Sequence, residues 1–319
     1  MPVVEMNALV QRWSGPVAGY DLAGTLDSGQ AFRWSLRDGW WHGVIHGTCA
    51  RVRVNASGHF ELEYLAAPEK LAALRHYFQL DLDWPAVERT FPAEDKVLQA
   101  AVAQCRGLRL VRQEPWECLA SFICSSTKQI VQIRQIIHEL SSRHGEPLTG
   151  FEGSTHFAFP APQRLAALSE AELRQCKLGF RAPYILGTAR AVAEGSIDLE
   201  ALKKLNVEEA REALIELPGV GRKIADCVLL FSLGFNEAFP IDVWIAKAMR
   251  QLYFPKRKMD GPKLIRFCAR HFGPNAGYAQ QFLFHAMRIN AGRVGKPDGV
   301  KANAPGQGTR PTTRSPSTL

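Results

Sequence analysis

Apolar and polar positions alternate with a period near two between residues 20 and 65. Gln30-Ala31-Phe32-Arg33-Trp34 alternates roughly, and 40–46, 49–54 and 59–64 read as further short strands. Asp38-Gly39, Gly47 and Ser57-Gly58 supply turns between them, so an antiparallel meander is expected. From about residue 68 the period becomes helical. Helices are predicted over 68–78, 93–105 and 117–125, the last mostly apolar and therefore buried. Ser126-Thr127 breaks that run and is expected to cap a helix whose Ile130, Ile133, Ile137 and Leu140 share one face. Ser169 with Glu172 and Asn206 with Glu209 form capping boxes. Further helices are predicted over 184–194, 222–233, 243–253, 264–271 and 278–291, with Gly195 placed to end the first.

Leu217-Pro218-Gly219-Val220-Gly221 turns the chain between two of these helices. Two glycines let backbone approach backbone, and the unpaired N–H groups opening the second helix form a cradle for an anion such as a DNA phosphate. A lone turn of this kind is most simply a helical hairpin, but Arg222-Lys223 follows it at once. Lys223 on its own reads as a solvated lysine or a phosphate contact. Asp242, 19 residues on and just before a helix, reads as an N-cap. Together, on two helix starts, they form a candidate pair. The amine attacks a sugar C1′ and the carboxylate stabilises positive charge on the ring. Cys227 lies one helical turn after Lys223, and Gln280 and Phe284 are one turn apart beside an apolar face.

Composition narrows the partners. The 319 residues are 46% hydrophobic and 22% charged, ordinary for a globular protein. The formal net charge is +8, and from residue 292 five basic residues stand against Asp298 alone. A basic surplus favours polyanions or only solubility, so it makes nucleic acid a reasonable partner and no more. The seven cysteines are odd in number, without a C-x-x-C pair, which excludes a disulfide framework and a zinc site. None follows Cys268, which excludes a C-terminal four-cysteine iron–sulfur loop. The N-terminus lacks a secretory pattern and no apolar run reaches the ~18 residues of a membrane span, so an intracellular protein with no membrane partner is expected.

The hairpin with its lysine, and the aspartate of Pro240-Ile241-Asp242-Val243, resemble the helix-hairpin-helix glycosylase superfamily. Ser121-Phe122-Ile123-Cys124-Ser125-Ser126, Ser28-Gly29-Gln30-Ala31-Phe32-Arg33-Trp34, Leu178-Gly179-Phe180-Arg181-Ala182 and Tyr278-Ala279-Gln280 with Phe284 are similar to the 8-oxoguanine DNA glycosylase/lyase subfamily. The resemblance runs from about residue 20 to 291. It implies an α+β protein: a twisted antiparallel sheet domain (1–92, with a flanking helix), a helical body (93–291) with the helix-hairpin-helix at about 207–233, and a disordered basic tail (292–319). It implies base flipping in double-stranded DNA containing oxidised guanine, excision of 8-oxoguanine and cleavage of the strand. Lys223 becomes the Schiff-base nucleophile and Asp242 the supporting carboxylate. Gly29 offers its carbonyl to N7–H of the lesion, Gln280 reads its Watson–Crick edge, and Phe284 and Cys227 sandwich it. Arg181 bonds the orphaned cytosine, Phe180 wedges into the stack, Thr127 stands where relatives fill the vacated gap, and Gly219, Val220 and Gly221 meet the phosphate.

The resemblance implies no required cofactor and no side-chain metal site, with a hairpin able to hold a structural monovalent or calcium cation. A monomer is expected, with the nucleoid of a bacterium or the nucleus of a eukaryote as its place. Eukaryotic members have asparagines where this chain has Thr127-Lys128-Gln129, an arginine at Gln132, a histidine at Trp244 and a tyrosine at Phe180. These departures touch opposite-base specificity and leave the chemistry intact. Two alternatives stay open: a glycosylase of this superfamily for another damaged base, which usually lacks the lysine, and a non-catalytic DNA-binding scaffold, which has no need of Gly29, Gln280 and Phe284.

Overall fold

Five short strands build the N-terminal sheet: β1 (Val10–Pro16), β2 (Ser35–Arg37), β3 (Trp40–Ile45), β4 (Thr48–Val54) and β5 (His59–Leu65), in the order β1-β5-β4-β3-β2 and antiparallel throughout. The computed structural model describes residues 10–257 and 260–292; the basic tail expected to be disordered lies, from Arg293 on, outside the described residues. On one face of the sheet Val52, Phe60, Leu62 and Tyr64 pack against Leu74, Tyr77 and Phe78.

One expected strand is absent. Residues 30–34 are irregular, although their alternation reads as β. Gln30 is fully buried; its Nε2 donates to Thr25 O (2.9 Å) and Arg109 O (2.8 Å), and its Oε1 accepts from Val111 N–H (2.8 Å). A side-chain amide there does the pairing that a ladder would do, and the period of two marks a segment threaded between sheet and body. β1 was not legible: its Val-Gln-Arg-Trp-Ser-Gly-Pro face leaves every residue at least partly exposed, and only pairing with β5 defines it.

The helices are α1 (Leu22–Asp27), α2 (Leu71–Tyr77), α3 (Trp84–Glu88), α4 (Lys96–Gln104), α5 (Pro115–Cys124), α6 (Ile130–His144), α7 (Pro162–Ala166), α8 (Glu170–Gln175), α9 (Ala182–Ala193), α10 (Val207–Ile215), α11 (Arg222–Val228), α12 (Val243–Ala248), α13 (Gly261–Phe272) and α14 (Ala276–Asn290). A two-stranded hairpin, β6 (Pro147–Thr149) with β7 (Thr155–Phe157), follows α6. α11 and α12 each run on into a π-turn, at Leu229–Leu233 and Met249–Tyr253. Ser169 and Asn206 cap α8 and α10 in capping boxes, as expected. α6 is instead capped from Gln129, whose N–H donates to Gln132 Oε1 (3.1 Å); Thr127 lies outside the helix in the left-handed region at φ +56°, so it cannot cap.

Two apolar cores divide the helical body. One joins α5 to α11, with Leu119, Ile137, Ile185, Leu214 and Val228 at its centre. The other joins α4, α12, α13 and α14 around Leu98, Ile245, Phe272 and Phe282. Val87 of α3 belongs to the first helical core, while Val111, beyond α4, belongs to the sheet's core. Lys223 is carried by a helix of the first core, and Asp242 and Gln280 by helices of the second. Among the described residues no helix is long and apolar enough to cross a membrane.

Candidate active site

The hairpin is built by caps and close approach. After α10, Leu217 N–H bonds Leu214 O (3.2 Å) and Val220 N–H bonds Leu217 O (3.1 Å), which closes the turn. Gly219 adopts φ +76°, and a Cβ there would lie 2.6 Å from the Tyr184 ring, so only glycine fits. Thr188 Oγ1 donates to Pro218 O (3.1 Å) and fixes the turn to α9. Gly221 is exposed and is the N-cap residue of α11. Val220 buries its side chain and commits its N–H to the turn, so the amides of Gly219 and Gly221 that flank it remain for a phosphate. Behind the hairpin Arg211 and Asp226, both buried, pair at 2.6 Å and tie α10 to α11.

Lys223, on the first turn of α11, is half-buried. Its Nζ donates to Ser125 Oγ (3.1 Å) and lies 5.4 Å from the Phe122 ring centroid. Ser125 gives its own proton to Phe122 O (2.6 Å), so its lone pairs are left for the amine. Asp242 caps α12, its Oδ1 accepting from Ile245 N–H (2.8 Å). Burial pushes the Asp242 carboxyl above its ordinary value, and the Ile245 amide and Lys223 pull it back. Cys227, one turn along α11, is buried, and burial pushes its thiol up to about 12 against the pull of Lys223, with Asp242 adding to the rise. Lys223, Cys227 and Asp242 therefore share one electrostatic neighbourhood, and Cys227 is a neutral thiol. Sequence reasoning named Ser125 within a motif but gave it no role; 98 residues separate it from Lys223 and no spacing rule joins them.

Gly29 and α14 form the adjoining wall. Gly29 adopts φ +82°, and a Cβ there would meet Ile130 Cδ1 at 2.6 Å and Phe284 Cε1 at 3.5 Å. Gln281 Nε2 donates to Ser28 O (3.3 Å), locking this segment onto α14. The Gln280 amide is buried, and its Nε2 donates to Pro240 O (3.1 Å), two residues before Asp242. Proline's carbonyl can only accept, which fixes the amide's orientation and leaves Oε1 buried with no partner among the described residues. An unpartnered buried acceptor costs about 1–3 kcal/mol, a deficit that a donor-bearing ligand relieves. Arg288 lies over the Phe284 ring at 5.5 Å, and its Nη1 donates to Asp27 O (3.3 Å); neither residue was singled out from the sequence.

Of the residues expected at the opposite strand, Phe180 (53%) and Thr127 are exposed and Arg181 is buried. The Arg181 guanidinium is bound inward: it donates to Ser126 O (3.0 Å), Leu178 O (3.2 Å) and Thr127 Oγ1 (2.7 Å), and lies 4.2 Å from the Phe180 ring. Gln132 is exposed, its Oε1 occupied by the cap of α6. Among the described residues no cluster of three or more His, Cys, Asp or Glu side chains is placed to hold a metal.

Family comparison agrees with this geometry. A family model of the 8-oxoguanine DNA glycosylase N-terminal domain matches residues 16–119, and one of the HhH-GPD superfamily base excision DNA repair protein matches 120–273. The "Probable N-glycosylase/DNA lyase" of Methanothermobacter thermautotrophicus is 33% identical over 300 residues, covering 86% of this chain and 95% of that protein. The N-glycosylase/DNA lyase OGG1 of Arabidopsis thaliana is 32% identical over 82% of this chain and 76% of its own length. A Clostridium acetobutylicum 8-oxoguanine glycosylase/lyase, solved with double-stranded DNA containing cytosine opposite 8-oxoG, superposes with a TM-score of 0.82 at 31% identity. It covers 89% of this chain and 98% of that one. Lys223 and Asp242 fall within the matched helix-hairpin-helix region and Gly29 within the matched N-terminal domain, and the chain is a member of the 8-oxoguanine DNA glycosylase/lyase family of the helix-hairpin-helix base-excision superfamily.

Proposed function

We propose that the protein excises 8-oxoguanine from duplex DNA and cleaves the strand at the resulting site. The buried, partnerless Gln280 Oε1 carries this reading: a guanine edge presents N1–H and N2–H donors to such an acceptor. The Gly29 carbonyl supplies the second test, since 8-oxoguanine has a hydrogen on N7 where guanine has a lone pair. Phe284, backed by Arg288, and the neutral Cys227 thiol flank the flipped ring.

In the chemical step the Lys223 amine bonds to C1′ as the C1′–N9 bond breaks, the bonding pair leaving with the base. The Asp242 carboxylate, held at one oxygen by the Ile245 amide, stabilises the positive charge that develops on the sugar. Loss of the amine proton and opening of the ring give an imine. Removal of a C2′ proton then expels the 3′ phosphate, and water releases the lysine. Ser125 holds the amine in place before the substrate arrives.

The flanking amides of Gly219 and Gly221 take a phosphate of the lesion strand. A hard monovalent or calcium cation would sit against the hairpin's backbone oxygens, of which the Leu217 and Pro218 carbonyls each accept one hydrogen bond and retain a second lone pair. The expected form is a monomer working on chromosomal DNA, in the nucleoid of a bacterium or the nucleus of a eukaryote. Incubation with duplexes bearing single lesions, resolved with and without alkali, tests the reading. Release of 8-oxoguanine with alkali-independent nicking is expected; release of an alkylated purine alone contradicts it.

A further inference from the structure

Two stretches carry a marked surplus of positive charge. Between residues 247 and 271 eight lysines and arginines face a single acid, Asp260, for a net +7; the tail from 292 carries +4, and all the rest of the chain nets −3. Stretches of this kind attract a polyanion such as DNA.

The first of them is folded into a track that begins at the active site. Val243, next to Asp242, is 80% exposed. Lys247 and Arg250 follow it by four and seven residues and continue its outward face. Tyr253 and Phe254 pack on Phe267, with ring centroids 5.9 and 4.7 Å away, which pins the end of the α12 turn to the middle of α13. Lys256 and Arg257 are exposed in the connection. On α13 Lys263, Arg266 and Arg270 recur at spacings of three and four, exposed on one face and edging a groove of about 480 Å³. Asp260 holds Lys263 at 3.0 Å; among the described residues no carboxylate pairs with Arg266 or Arg270. The one acid beneath, Asp95, is buried and bonded to His271 Nε2 (2.7 Å) and Tyr253 OH (2.8 Å), so it is already answered.

We propose that this track binds the backbone of the same duplex whose lesion occupies the pocket, along its flank, as a second DNA contact separate from the hairpin. The proposal rests on the DNA-repair reading above. At 1.5 Å per residue α12 and its π-turn carry the chain about 16 Å from Asp242, and the α13 stripe adds about 10 Å. Phosphates of one strand advance about 3.4 Å each along the axis, so the stripe matches about three of them.

The test compares the full chain with a Lys263→Gln/Arg266→Gln/Arg270→Gln variant on undamaged and lesion duplexes of about one and about three helical turns, across a salt series. A control variant loses equal charge at Arg12, Arg53 and Arg174. Expected for the first variant are a loss of about tenfold or more on the long duplex and a plot of log affinity against log salt shallower by about 2–3. Its affinity for the short duplex and its single-turnover base release at saturating enzyme stay at parental values, and the control keeps the parental slope. Arg270→Gln alone shifts the slope by about 1 and serves if the triple variant does not fold. An unchanged slope, or equal losses on both lengths, overturns the proposal. So does dissociation from the long duplex that competitor DNA accelerates in the parent but not in the variant, because the track then holds a second duplex. A parent that binds DNA but releases no 8-oxoguanine sinks the repair reading and leaves the track standing.

Discussion

The lesion pocket and the opposite-strand edge are built by opposite means. At the lesion site the side chains are held by packing and backbone bonds and keep open valencies: Gln280 Oε1 has no partner among the described residues, Ser125 lends Lys223 only a lone pair, and Asp242 caps its helix through one oxygen. At the edge the Arg181 donors are already satisfied and the Gln132 carbonyl oxygen is taken. Arg181 bonds Ser126, Leu178 and Thr127, and Gln132 serves the cap of α6. A group with unmet hydrogen bonds gains the full value of a ligand's, whereas a satisfied group gains only the difference after giving up its own. On the proposed function, such a protein is expected to be strict about the damaged base and lax about the base across from it.

The largest effect that would sharpen this contrast is expected from Lys223→Gln, which keeps a hydrogen-bonding side chain beside Ser125 but removes the nucleophile. Single-turnover base release should fall by about 10³ or more while lesion-duplex affinity holds. A residual rate near the parent's would demote the lysine to a phosphate contact.

Asp242→Asn should slow base release by about 10²–10³ and retain the cap. Burial holds this carboxyl above its ordinary value, so the folded chain binds its proton more tightly than the unfolded chain, and the charged form destabilises the fold as pH rises past the ordinary carboxylate range. The variant should melt no lower than the parent at pH 7, with the difference vanishing below about pH 4, where both are neutral. A markedly lower Tm at pH 7, read by scanning calorimetry, would mean that the charge stabilises the fold instead.

Phe284→Ala removes a stacking face worth about 1–3 kcal/mol. Base release from 8-oxoguanine DNA should drop by roughly fivefold to a hundredfold, and reaction with a ready-made abasic site much less. Equal losses on the two substrates would indicate a folding defect.

The smallest effect lies at the edge. Cytosine opposite the lesion should be preferred over the other bases by only about tenfold, since a charge-assisted contact is replaced by a neutral one at Gln132 and Arg181 must first release Ser126 and Thr127. Single-turnover rates with each of the four opposing bases measure this, and a preference of several hundredfold would erase the contrast between the two regions.

Local rules made the chemistry legible and long-range pairing hid the rest. Lys223 and Asp242 could be read because helix starts carry their own grammar: a glycine turn, a capping aspartate, a box at Asn206 with Glu209. Gly29 was readable only through its motif; its left-handed φ and its contact with Ile130 and Phe284 depend on a fold that joins positions 29, 130 and 284. Ser125 and Arg288 were missed as partners because side-chain bonds across such separations leave no periodic trace. The misread strand at 30–34 has the same origin, since Gln30 is buried by side-chain bonds to Arg109 and Val111 and not by a neighbouring strand.

The central claim is that Lys223 itself becomes covalently bound to the sugar of the excised base. Borohydride reduction during turnover of an 8-oxoguanine duplex, followed by protease digestion and mass mapping of the adduct, tests it directly. The account predicts one DNA-linked peptide, with the modification on Lys223 and none formed on undamaged duplex; an adduct on any other lysine, or none with active enzyme, would contradict it.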